Sequence, residues 1–169
     1  NPQNPQLQKL AQYQQVMWGF VANHIMVFMN MPQSASEIDG ASYYMANIAR
    51  EFATYSITPI FIFEPIGDNS SALRLSSIKN WAYTANLELL FSKLKNDRNI
   101  TEDKLGIIVP YPELNTPAFD RTGFVPGDFS VLVNNFFSSI RKYYPTLRGG
   151  LLLDSQSYDV WESWGQGSY

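Results

Sequence analysis

The chain has 169 residues, is 45% hydrophobic and 15% aromatic, and carries a formal net charge of -3. That length supports one domain with a sizeable core, and the composition excludes a disordered chain. It has no cysteine and a single histidine, His24, which excludes disulfides, thiolate catalysis, Cys-based zinc sites and His-based triads within the chain.

No cluster of Lys and Arg marks a nucleic-acid surface. No run approaches the roughly 18 apolar residues of a membrane helix. No cofactor is expected, and the lack of a Gly-rich phosphate loop counts against a nucleotide site. The opening NPQNPQ reads as a processed terminus or an internal cut.

Residues 5–22 place Leu7, Leu10, Ala11, Met17, Trp18 and Val21 at helical spacing, with Asn23 as its stop. The competing reading turns 16–21 into a strand. A strand follows over 24–30, which makes His24 a satisfied structural histidine at the opening of a buried strand. After a loop, Ser36-x-x-Asp39 resembles a capping box. The next helix runs to about Tyr55 and is expected to bury Ala41, Tyr44, Met45, Ile48 and Phe52.

TPIFIFE over 58–64 is a short apolar run rich in β-branched and aromatic residues, the pattern of a strand buried on both faces. Residues 77–94 read as a helix with Ile78, Trp81, Ala82, Ala85 and Leu89 on its inner face. A charged turn over 95–104 leads into a strand over 105–111. The loop 112–127 is long for a strand-to-helix connection, usually about 2–6 residues. The helix that follows, capped by Asp128 and ended by Pro145, carries Phe129, Leu132, Val133, Phe136, Phe137, Ile140, Tyr143 and Tyr144 at helical spacing. Arg141, Lys142 and Arg148 read as solvated. The last strand is expected at 151–154, and the tail to Tyr169 is aromatic and polar without a period.

Four strands alternating with helices argue for an α/β fold with a parallel sheet and right-handed crossovers. Such a chain is an open α/β sheet or about half of an eight-stranded barrel. Three of the strands end in carboxylates, Glu64, Glu113 and Asp154. In a parallel sheet those ends share one edge. Glycosidic cleavage needs two carboxyl groups, roughly 5–5.5 Å apart for retention and 6.5–9.5 Å for inversion. Carboxylates at strand ends equally serve to cap a following helix or to pair with Arg. The aromatic residues Trp161 and Trp164 suit stacking on sugar rings, and equally suit packing against the fold.

The segment TPIFIFEP (58–65) resembles the "PLITWEP" strand of glycoside hydrolase family 26, the β-mannanases and related endo-glycanases. PYPELN (110–115) is similar to that family's "RPFHEMNG" strand end. FVPGDF (124–129) matches the segment after it, and LLDSQS (152–157) resembles the "WSPN" strand. The resemblance spans about residues 24–169.

It implies a (β/α)8 TIM barrel, of which residues 1–169 form a single partial domain with about four parallel strands. It implies Glu113 as general acid/base by its place in the motif. The other expected contacts are Glu64, Asn115, Asp154, Tyr111, Trp161 and Trp164, all toward substrate. The implied partners are a polysaccharide or oligosaccharide and the remainder of the barrel, from a longer chain or a partner subunit. The implied location is extracellular or at the cell surface.

The departures are Pro112 where the family has His, Thr116 in place of Gly, and a nucleophile strand that would follow Tyr169. They open a second expectation, a non-catalytic carbohydrate-binding or structural module on the same scaffold. A third is an unrelated open α/β fold with a small-molecule site.

Overall fold

The computed structural model describes residues 23–64, 84–110 and 126–152, with side chains from 130 onward in the last segment. Its elements are β1 (His24–Asn30), α1 (Ala35–Thr54), β2 (Thr58–Glu64), α2 (Thr84–Asn96), the single turn α3 (Glu102–Leu105), β3 (Ile107–Pro110), α4 (Pro126–Arg141) and β4 (Arg148–Gly149). The four strands form one sheet in the order β1-β2-β3-β4, and every pairing is parallel. The expected helix over 5–22 lies outside the described residues, as do 77–83 of the third helix.

Strand and helix boundaries follow local chemistry. Ser34 caps α1, its Oγ accepting from the Glu37 backbone N–H at 3.2 Å, while the Glu37 carboxylate accepts from the Gln33 N–H at 2.7 Å. The expected cap at Ser36 and Asp39 is therefore two residues late. Asp39 instead reaches across to α2 and the turn after it, with Lys93 Nζ at 3.1 Å and the Arg98 guanidinium at 2.9 Å. The Lys93 hydrogen bond is the main cause holding its carboxyl below the usual aspartate range.

The carboxyl end of α1 is a Schellman motif. Ile57 N–H donates to Phe52 O and Ser56 N–H to Ala53 O, with Ser56 in the left-handed conformation at φ 57°.

The helices pack side by side on one face of the sheet, α1 against α2 and α2 against α4. The inner face of α1 is Ile38, Ser42, Met45, Ala46, Ala49 and Phe52. Small side chains at 42, 46 and 49 let the helix approach the strands. Tyr44, expected inside, is 51% exposed, and Ala41 and Ile48 are only partly buried.

In α2 the buried residues are Leu87, Leu90, Phe91 and Leu94. The expected face through Ala85 and Leu89 points outward instead. That face includes two alanines, and the larger apolar side chains on the other stripe take the sheet. α4 opens at Pro126, ahead of the expected cap Asp128, and closes at Arg141, ahead of Pro145; the expected stripe holds for the described side chains, with that of Phe129 outside them. Leu132, Phe136, Phe137, Ile140 and Tyr144 are buried, and Val133 and Tyr143 pack against them. Arg141, Lys142 and Arg148 are exposed, as expected.

β3 is shorter than the expected 105–111. Leu105 closes α3, Gly106 turns the chain, and pairing begins at Ile107. β4 pairs at Arg148–Gly149, earlier than the expected 151–154, and Gly150 N–H adds a bond to Ile108 O. A Cβ on residue 149 would meet the ring of Phe137, so glycine lets β4 approach α4 without displacing that ring. Leu151 and Leu152 follow outside the ladder, and 153–154 lie beyond the described residues.

The centre of the core is aromatic. Phe63 of β2 meets Phe91 of α2 at 6.2 Å and Phe136 of α4 at 5.7 Å between ring centroids. Phe91 in turn meets Tyr144 edge-on at 6.0 Å. The Tyr144 hydroxyl donates to Ile100 O at 3.0 Å. Burial, with the nearby Glu102 charge, pushes its phenol above the ordinary tyrosine value of 10.0.

Because the folded form holds that proton more tightly, the stabilisation is complete below the unfolded value and declines as pH rises through it. Urea unfolding at about pH 8 and about pH 10.5 should show the decline, and Tyr144→Phe should lessen it. That variant should cost about 1 kcal/mol at neutral pH through the lost hydrogen bond. An alkaline decline of equal size in Tyr144→Phe would assign it to other groups.

Candidate functional site

Parallel strands bring their carboxyl ends to one edge, so the site is built from what each strand leaves there. Alternation along β1 and β2 divides the sheet into two faces. Val27, Met29, Phe61, Phe63 and Ile108 belong to the core beneath the helices. The opposite face carries registered rows. Met26 aligns with Ile60 and Ile107, and Phe28 with Ile62 and Val109. Ile62 and Val109 are buried, yet stand apart from the helix-side core. Gly150 borders the same face, a Cβ there meeting Ile107 and Val109.

Above these apolar rows, at the carboxyl edge, the next registered pair is Asn30 and Glu64. An amide and a carboxylate therefore stand on neighbouring strands, on the face away from the helices. Glu64 is partly buried and Asn30 is exposed. The frame beneath them is tied by backbone, with Met31 N–H donating to Glu64 O at 2.8 Å. Asn86 of α2 donates to Pro32 O at 3.0 Å, which holds the loop after β1. A carboxylate and an amide in this position accept and donate hydrogen bonds to hydroxyl groups.

Of the residues expected in the site, Glu64 is at the predicted strand end. Glu113, Asn115, Asp154, Tyr111, Trp161 and Trp164 lie outside the described residues, so the convergence of three carboxylates stays an expectation. Asn30 was missed, although it ends its apolar strand in the same way that Glu64 ends the next. His24 opens β1 as expected but at an exposed end, its Nδ1 2.8 Å from Asn23 Oδ1. It is not buried, and burial along the strand begins further on, at Val27 and Met29.

Among the hollows lined by described residues, two lie beside the sheet. One, of about 540 Å³, lies beside the outer edge of β1 and is lined by Phe28, Asn30, Pro32, Glu37, Ala41 and Tyr44 among others. The other, of about 500 Å³, lies near the amino ends of the strands by Glu102, Gly106 and Arg148. There Glu102 Oε1 is buried, with no hydrogen-bond partner among the described residues. Among the described residues no group of three or more His, Cys, Asp or Glu side chains is placed to hold a metal ion. No described helix is long and apolar enough to cross a membrane.

No protein family, curated protein or solved structure matches the chain.

Proposed function

We propose that the chain is a glycan-acting protein built on about half of a (β/α)8 barrel, related to the endo-β-glycanases. The observation that carries this reading is the Asn30–Glu64 pair, set on the carboxyl edge above registered apolar rows on the face away from the helices. Layered apolar side chains inside, helices outside and chemistry at the carboxyl ends are the plan of a (β/α) barrel. The sequential order β1-β2-β3-β4 supports a sheet wound in one direction. A doubly wound sheet instead reverses its order at a switch point.

In this reading Glu113, by its motif, protonates the leaving oxygen. Glu64 and Asn30 bind sugar hydroxyls, and Asn115, Asp154 and Tyr111 complete the polar rim. Trp161 and Trp164 stack on sugar rings. Polysaccharide as substrate implies action outside the cell or at its surface. The remaining strands come from a longer chain or a partner subunit.

The test is a panel of β-linked oligosaccharides, followed by titration calorimetry and by product analysis. Glu113→Gln should abolish hydrolysis and keep binding. Glu64→Gln should weaken binding about tenfold, or about 1.4 kcal/mol, the value of one hydrogen bond to a charged group. Hydrolysis unchanged in Glu113→Gln removes it as the acid/base, and glycan affinity unchanged in Glu64→Gln removes the edge from the site. Pro112, standing where the family has His, favours a second reading, a carbohydrate-binding module without turnover. Binding with no product from the unaltered chain would select it.

A further inference from the structure

A three-residue pattern in the chain plays no part in the proposed site. Asn99-Ile100-Thr101 has the form Asn-x-Thr with x other than proline, the acceptor for N-linked glycans in exported proteins. The same acceptor form, with Ser as its third residue, occurs at Asn69-Ser70-Ser71, which lies outside the described residues. Such triplets also arise by chance, so the surroundings of Asn99 decide.

Asn99 lies in the turn between α2 and α3, in the left-handed conformation at φ 54°. Asparagine is among the side chains that tolerate it. The backbone fixes this turn, with Arg98 N–H donating to Lys93 O at 2.9 Å and Ile100 N–H to Leu94 O at 3.0 Å. Ile100 is buried, and its carbonyl accepts from the Tyr144 hydroxyl. The middle residue is therefore an anchor, while Asn99 and Thr101 on either side of it are exposed. Among the described residues the Asn99 amide has no hydrogen-bond partner, so a substituent on its Nδ2 breaks no bond between them. The turn also stands clear of the proposed site. It delivers the chain to the amino end of β3, whereas Asn30 and Glu64 close the carboxyl ends of β1 and β2. A bulky group on Asn99 leaves that edge open.

We propose that Asn99 carries an N-linked glycan. Such glycans sit on the surfaces of exported proteins, so the assignment rests on the reading that the chain acts outside the cell. In the transfer, Nδ2 attacks the anomeric carbon of an oligosaccharide held on a lipid pyrophosphate. A C–N bond forms and the C–O bond to the pyrophosphate breaks. The lipid pyrophosphate leaves, and the proton lost by Nδ2 balances its charge. Nothing is oxidised or reduced. The fold then holds the modified amide in solvent, on a turn anchored by its neighbour Ile100.

The experiment expresses the full chain behind a leader peptide in a eukaryotic host and recovers it from cells and medium. Peptide mapping follows, before and after peptide N-glycosidase, which leaves aspartate wherever a glycan was attached. Most of Asn99 should return as aspartate, and the intact mass should exceed 19.2 kDa until treatment. Asn99→Gly suits the left-handed turn, and Thr101→Asp keeps a good capping residue ahead of α3. Each should lose the modification at this position. Thr101→Ser should keep it.

Asn99 recovered unmodified overturns the assignment, as does a modification that survives Thr101→Asp. Mapping separates Asn99 from Asn69, so a glycan on Asn69 alone overturns it too. Should Asn99→Gly fail to fold, Thr101→Asp still decides. An unmodified chain that binds oligosaccharide would remove this inference and leave the glycan-acting reading standing. A chain modified at Asn99 that binds none would do the reverse.

Discussion

Phe63→Ala should cost about 4 kcal/mol of folding stability, the usual range for emptying a buried phenylalanine site. Phe63 is fully buried on β2 and joins strand to both α2 and α4 through the Phe91 and Phe136 rings. Those tilted and edge-on contacts add to simple burial by roughly 0.5–1.5 kcal/mol per pair. The rings are held by separate helices, so neither can swing in to fill the space without dragging its backbone. A domain of this size is stable by about 5–15 kcal/mol in all. The loss should be plain in the urea midpoint followed by circular dichroism. Tyr43→Ala, at an exposed position, should move the midpoint by under about 1 kcal/mol. A loss below about 1.5 kcal/mol for Phe63→Ala would mean that the three rings do not pack as described.

Gly106→Ala should be as damaging, for a backbone reason. Gly106 has φ +69°, and a Cβ there would collide with the Pro59 carbonyl oxygen and lie 2.8 Å from Thr58 Cγ2. The obstacle is the backbone of β2, which cannot turn aside as a flexible side chain does. The turn also sets where β3 begins to pair. A loss of about 4 kcal/mol is expected, at the upper end for single substitutions. Gly40 offers the opposite case within the same protein. It lies inside α1, and a methyl group added there would meet nothing within 4 Å. Gly40→Ala should therefore stabilise by about 1 kcal/mol, through helix propensity alone. Paired unfolding curves for the two variants check both signs, and a mild Gly106→Ala would contradict the close approach to Pro59.

The alternation of strands and helices was legible because apolar runs and helical stripes are local signals. β1 and β2 fall at the residues expected, since their runs are bounded by loop residues on both sides. The α4 stripe was legible for the same reason, its buried positions from Leu132 to Ile140 being bulky and apolar apart from Ser139. The inner face of α2 was not, because Ala85 and Leu89 keep helical spacing as well as Leu87 and Phe91 do. Only the facing strands and helices choose between two such stripes.

The α1 cap slipped by two residues because Ser34 and Ser36 are each followed three positions later by an acid. Asp39 was then claimed by Lys93 and Arg98, from a segment more than fifty residues away. At the site, Glu64 was legible from its position after an apolar run. Its neighbour Asn30 depends on register, which no single strand reveals.

The bond from Met31 N–H to Glu64 O holds the main chain of that strand end, and leaves the Glu64 carboxylate out of the arrangement. Frame and side chain are thus separable. Selection can exchange the group at position 64 without renegotiating the fold beneath it. A scaffold tied in this way assembles from the same core whichever side chain stands at that edge.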